Sequence, residues 1–200
     1  MKKLLLLLLL SLTYIGSTNA NSIQGGFGYK LGQSVPSAEI TYNASLPFVL
    51  ENFTPINQMP PFDNGYFYTT LNEKKIYKLV VYHIEDSSPS NSCNYWSDYV
   101  ITQKYKILTA LRTKYSGMKF KEYYRYPDRE KQEWFYSDGD RSIKLTCKWE
   151  YQKKTLFKPR YGEYKLELEY FDSYLSDLYS DEAYAYKQKK AREESSDYDF

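Results

Sequence analysis

Residues 141–151 read Arg-Ser-Ile-Lys-Leu-Thr-Cys-Lys-Trp-Glu-Tyr, and residues 163–170 read Glu-Tyr-Lys-Leu-Glu-Leu-Glu-Tyr. In the first stretch Ile143, Leu145, Cys147 and Trp149 alternate with Lys144, Thr146, Lys148 and Glu150. In the second, Tyr164, Leu166, Leu168 and Tyr170 alternate with Lys165, Glu167 and Glu169. A period of two that separates apolar from charged residues marks antiparallel strands with one face on a core and one face wet.

Working outward, Ser137-Asp138-Gly139-Asp140 joins the first of these strands to Lys131–Tyr136, and Asp-Gly is a strong hairpin signal. Phe120–Tyr126 is a further aromatic, alternating run. Upstream, Tyr66–Leu71 and Lys75–Ile84 flank Asn72-Glu73-Lys74 and read as strand, turn and strand. Strict alternation in the second of these puts Ile76, Val80, Tyr82 and Ile84 on one face and Tyr77, Leu79, Val81 and His83 on the other. Both sets are rich in apolar residues, as expected of a central strand.

Between the two groups of strands, Ile101, Tyr105, Leu108, Leu111 and Tyr115 recur at helical spacing, with Lys104, Lys106, Arg112 and Lys114 mostly off that stripe. Ser97 is placed to cap this helix and Gly117 to end it. A second helix is expected from Asp172 or Ser173, carrying Leu175, Leu178 and Tyr179. The expected fold is therefore α+β: a mainly antiparallel sheet, one helix packed on it and a C-terminal helix. Pro47, Pro55, Pro60 and Pro61 break up any long element between Thr41 and Asp63. Residues 25–32 hold four glycines but do not fit the dinucleotide-binding spacing, and suit a short irregular strand or bulge.

The chain opens Met1-Lys2-Lys3, continues through an apolar run from Leu4 to Ile15, and then reaches Thr18 and Ala20 at the −3 and −1 positions of a cut before Asn21. This is the pattern of a secretory signal peptide. The expected organisation is residues 1–20 as signal, residues 21–186 as one α+β domain and residues 187–200 as a polar, frayed tail. The mature chain is expected to carry no transmembrane segment and to be exported, periplasmic or secreted. Asn43 and Asn52 lie in formal glycosylation sequons, which matter only in a glycosylating host.

Of the 200 residues, 24 are Tyr, one is His and two are Cys, which leaves no material for a multi-His or Cys-rich metal site. No cofactor is expected. In an oxidising compartment Cys93 and Cys147 are expected to form a disulfide, stapling the start of the helix to an inward-facing strand position. Removal of Lys2 and Lys3 leaves a neutral mature chain, yet residues 97–160 hold 16 basic and 8 acidic side chains. That basic stretch is interleaved with aromatics, of which Tyr124, Tyr126, Trp134 and Tyr136 are the candidate ligand-contacting residues. An acidic C-terminal segment balances it, and nucleic acid is not the expected partner. His83 is the only imidazole and lacks a recognisable nucleophile nearby in sequence, and no G-x-S-x-G elbow is present, so no catalytic residue is assigned.

Gly26-Phe27-Gly28-Tyr29-Lys30-Leu31-Gly32 resembles the opening strand of small exported bacterial proteins of uncharacterised function, in which a G-F-G-x-K-x-G segment follows a signal peptide. The likeness extends loosely over Tyr77–Ile84, residues 114–117 and residues 166–172. It implies export and supplies no activity and no site residues. The expected function is a non-catalytic binding or envelope-associated module whose partner is an envelope component or another exported protein. The alternative is a hydrolase acting on envelope material.

Overall fold

A computed structural model describes residues 22–39, 41–43, 46–53, 55, 60–87, 93, 98–125, 129–152 and 161–196. The fold is α+β. After a two-stranded hairpin, β1 (Gly25–Gly26) and β2 (Tyr29–Lys30), come β3 (Thr41–Asn43), β4 (Leu46–Phe53), β5 (Asn64–Thr69) and β6 (Ile76–Ser87). Helix α1 (Asp98–Lys114) leads to β7 (Lys119–Arg125), β8 (Arg129–Asp138), β9 (Arg141–Gln152), β10 (Tyr161–Asp172) and helix α2 (Ser173–Ser196). Strands β3 to β10 form one antiparallel sheet in the order β3-β4-β5-β6-β10-β9-β8-β7.

This order is two meanders joined in the middle. The chain zigzags to β6, crosses by way of α1 to the far edge at β7, and zigzags back until β10 closes against β6. The β6–β10 seam runs from Lys78↔Phe171 to Ser87↔Gly162. Turn chemistry sets the short connections. Phe27 and Gly28 both hold positive φ, 57° and 91°, as a two-residue type I′ loop requires. Gly139, at φ 58°, leads the Gly139-Asp140 loop between β8 and β9.

The inner face of the sheet is apolar and covered. Ile143, Leu145, Cys147 and Trp149 of β9 and Tyr164, Leu166, Leu168 and Tyr170 of β10 are all buried there, as their alternation requires. Ile107, Leu108, Leu111 and Tyr115 of α1 and Ile23, Phe27 and Leu31 of the N-terminal segment pack into the same core. At roughly 1.5–3 kcal/mol for each large apolar side chain removed from water, these residues form the main stabilising contact of the fold. Phe53 lies over Gly65, where an added Cβ would meet the ring at 2.5 Å, so β5 is held close beneath it.

Two expectations are corrected by the packing. Along β6 the register steps from Tyr68↔Lys78 to Thr69↔Ile76, leaving Tyr77 as the extra residue of a β-bulge. The bulge inverts the alternation. Ile76 joins Leu79 and Val81 in the core, while Tyr77 turns out with Lys78, Val80 and Tyr82. In α1 the buried stripe is rotated by about one residue: Tyr105 is 54% exposed and Lys104 is 1% exposed. Lys104 is accommodated because its ammonium donates to the Cys93 carbonyl at 2.8 Å and lies 5.9 Å from the centre of the Trp134 ring. Ser97, the expected cap, lies outside the described residues.

Helix α2 starts where expected, with the Asp172 carboxylate accepting the Leu175 amide at 3.0 Å. Asp172 also pairs with Arg141, whose guanidinium donates to the Ile23 carbonyl at 3.0 Å, so one cation ties the N-terminal segment, β9 and α2 together. Residues from Lys187 onward, expected as a frayed tail, continue the helix to Ser196, with the side chains of residues 187–195 exposed. Lys189–Glu193 and Lys190–Glu194 sit at the i,i+4 spacing that supports a helix with no packed face.

Cys93 and Cys147 form a disulfide with Cα atoms 6.1 Å apart. It fastens the chain between β6 and α1 to β9, two strands away from β6. With the cysteines 54 positions apart in sequence, chain entropy assigns the bond roughly 4 kcal/mol. Replacing both cysteines by Ser is expected to lower the melting temperature by roughly 10 °C for a chain of this size. Calorimetry of the variant and of the disulfide-bonded wild type checks this.

Candidate functional site: the open face of the sheet

The opposite face of the sheet carries the side chains that alternation and the Tyr77 bulge turn away from the core. Its β5–β6 part is aromatic. Tyr66 lies 6.0 Å from Tyr82 and 5.7 Å from Tyr68, ring centre to ring centre. Tyr68 stacks on Tyr77 at 6.0 Å, and Tyr77 stacks on Tyr179 of α2 at 5.3 Å. Phe48 and Phe171 flank this row at 6.3 Å from Tyr68 and 6.5 Å from Tyr77. Tyr77 is buried, while Tyr66, Tyr68 and Tyr82 are half-buried. Burial, with the Glu167 charge adding to it, pushes the Tyr66 hydroxyl well above the ordinary phenol range. Burial does the same for Tyr77. Both therefore stay protonated and able to donate.

Across β10, β9 and β8 the same face is charged, in rows set by strand register. One row runs Lys165, Lys148, Lys131 and the next runs Glu167, Thr146, Glu133. Like charges directly opposite each other destabilise a sheet. Here the opposition is relieved along the strands: Lys165 pairs with Glu167 at 2.5 Å and Lys131 with Glu133 at 2.6 Å. Glu169 sits between two cations, 2.8 Å from Lys78 and 3.0 Å from Lys144. The Lys165 ammonium also lies 4.9 Å from the centre of the Tyr82 ring, joining the charged and aromatic parts.

Of the four aromatics expected to contact a ligand, Trp134 and Tyr136 face inward. Trp134 is 6% exposed on the inner face, stacked on Phe120 at 5.2 Å, and Tyr136 is half-buried against Tyr115 at 5.3 Å. Their strand partners Leu145 and Ile143 are core residues, so alternation alone turns both rings inward. Tyr124 is placed only by the backbone of β7, and Tyr126 lies outside the described residues. The half-exposed rings instead belong to Tyr66, Tyr68 and Tyr82. Alternation around Phe67 signals the first two and alternation with Leu79 and Val81 signals Tyr82, whereas Tyr77 joins their face only through the bulge.

His83 has Nδ1 3.4 Å from an Asp63 carboxylate oxygen. Among the described residues no hydroxyl or thiol hydrogen-bonds its ring, and Cys147, two strands away in the same row, is held in the disulfide. Among the described residues no cluster of three or more His, Cys, Asp or Glu side chains has a metal-binding arrangement, and no helix is long and apolar enough to cross a membrane. Comparison of the chain with protein-family models, curated proteins and solved structures finds no match.

Burial alone would raise the Glu169 carboxyl, but hydrogen bonds and charge from Lys78 and Lys144 more than offset it and hold the group below its ordinary range. A carboxylate depressed in the folded state contributes stability above its unfolded pKa and loses that contribution as pH falls through the folded value. Glu169→Gln is therefore expected to destabilise the protein at neutral pH, with the gap to wild type closing below the carboxylate range. Urea unfolding of both proteins at the two pH values measures the gap.

Proposed function

We propose that the protein is an exported binding protein that lays its open sheet face against an extended component of the cell envelope or an exported partner. The half-exposed row Tyr66, Tyr68 and Tyr82 carries this reading. Rigid rings that carry a hydroxyl supply contact area at low conformational cost, and here three stand together beside charged groups able to take or give hydrogen bonds. The signal-like N-terminus supports export, and the Cys93–Cys147 disulfide suits an oxidising compartment. The rings already pack edge-on or tilted against one another, so little order is lost when a ligand settles on them.

The His83–Asp63 pair favours a second reading, hydrolysis of envelope material, because an imidazole beside a carboxylate is half of an acid–base constellation. Two measurements separate the readings. Immobilised wild-type protein is expected to retain material from an envelope fraction that Tyr66→Ala/Tyr82→Ala, checked for a cooperative melt, does not retain. Equal retention by both would reject the binding role of the rings. Release of reducing ends or peptides from the same fraction, abolished by His83→Ala, would instead establish the hydrolase.

A further inference from the structure

We propose that the open face of β7, β8 and β9 is a docking surface for an acidic polysaccharide, a deepening that rests on the binding role just assigned to this face. Lys119 and Lys121 of β7, Lys131 of β8, and Lys144 and Lys148 of β9 share it. Among the described side chains of these three strands, Glu133 is the one carboxylate on that face, and it is only 11% exposed and paired with Lys131. Lys144 shares Glu169 of β10 with Lys78. Among the described residues no carboxylate lies within ion-pair distance of Lys119, Lys121 or Lys148. At the outer end of the β7–β8 hairpin the registers set Arg125 opposite Arg129 and Arg129 opposite Glu150.

Lysines on an edge strand are a common guard against edge-to-edge pairing. That function accounts for Lys119 and Lys121, since β7 is the outermost strand. It does not account for Lys131, Lys144 and Lys148, which lie on interior strands. There the cost of like charges side by side is borne at Lys131, Lys148 and Lys165 in one row. A ligand bearing repeated anions relieves that cost. Strand spacing sets the ammonium-bearing positions about 4.8 Å apart across the sheet and about 6.7 Å apart along it, a flat grid suited to a chain with an anion on successive units.

The rest of the face selects among polyanions. A single-stranded nucleic acid needs free aromatic faces for its bases; among the described side chains on the open face of these strands, the one ring is Phe135, half-buried with the Lys121 ammonium 5.4 Å from its centre, while Tyr123 is placed on that face by its backbone register with Lys131. An anionic bilayer needs apolar side chains to insert. Among the described residues, the large exposed hydrophobic on the open face is Ile84 of β6, next in register to Lys165. A polysaccharide following the lysine row across the strands passes Lys131, Lys148 and Lys165 and reaches Ile84 on β6, with the Tyr82 ring beside it, 4.9 Å from the Lys165 ammonium.

The test titrates the mature, disulfide-bonded protein with polygalacturonate, with neutral dextran and with a single-stranded oligodeoxythymidylate at low and at moderate salt. The expected result is saturable binding of polygalacturonate that weakens steeply with salt, little binding of dextran, and weaker binding of the oligonucleotide. Lys121→Glu/Lys131→Glu/Lys148→Glu is expected to lose about tenfold or more in affinity for polygalacturonate at low salt. The same three positions changed to Gln, which removes charge without reversing it, serve as the second variant and are expected to show a smaller loss in the same direction. Wild-type affinity in the Gln variant, a tighter oligonucleotide complex, or dextran binding equal to polygalacturonate would overturn the proposal. Should the wild type ignore polygalacturonate yet retain envelope material through Tyr66 and Tyr82, the acidic-glycan proposal falls while the binding role stands.

Discussion

The crossing from β6 to β7 is the constraint on which the rest of the structure depends. Every other connection within the sheet joins neighbouring strands, but this one must carry the chain from the middle of the sheet to its far edge before β10 can return and close against β6. Contacts between residues so distant in sequence carry a loop-closure cost that only the finished core offsets. The Cys93–Cys147 bond anchors the crossing to β9, and the Lys104 ammonium holds the Cys93 carbonyl to α1. With that segment fastened, α1 covers the β8–β9 part of the inner face and β7 is set as an edge.

One consequence of the closed seam is a division of labour between faces. The inner face is a continuous apolar layer under α1 and the N-terminal segment. The outer face is built from long amphipathic side chains, whose stems cover apolar surface while their heads stay in water. Thus Val80 and Thr146 are almost wholly buried on the open face, beneath tyrosine, lysine and glutamate neighbours. The ion pairs of Lys165 with Glu167 and of Lys131 with Glu133 act chiefly to make rows of like charge tolerable, since half-exposed pairs stabilise only modestly.

Aromatic side chains serve the two faces differently. Trp149, Tyr164 and Trp134 fill the core, whereas Tyr66, Tyr68 and Tyr82 line the open side and lead through Tyr77 to Tyr179 of α2. The high tyrosine content thus reflects one residue type suited both to a crowded interior and to a wet strand surface. The basic character of residues 97–160 resolves in the same way. Part of it is neutralised within the sheet, and the remainder gathers near the β7 edge, where fewer carboxylates stand beside it.

The sequence alone determined the α+β class, the strands flanking Gly139, the two helices and the pairing of two cysteines, because alternation, helical spacing and turn residues are local properties of the chain. It did not determine the inward direction of Trp134, expected among the ligand-contacting rings, because alternation with Glu133 and Phe135 ties it to the apolar set of β9 only once register is known. Only the tertiary structure decided that register, the strand order and the faces of β6, because a bulge at Tyr77 depends on how β5 lies beside it and leaves no local mark. Likewise the burial of Lys104 required a carbonyl supplied by Cys93, outside its helix. The lysine rows and the Tyr66–Tyr82 cluster required strands far apart in sequence to lie side by side, because a binding surface on a sheet runs across its strands and periodicity runs along them.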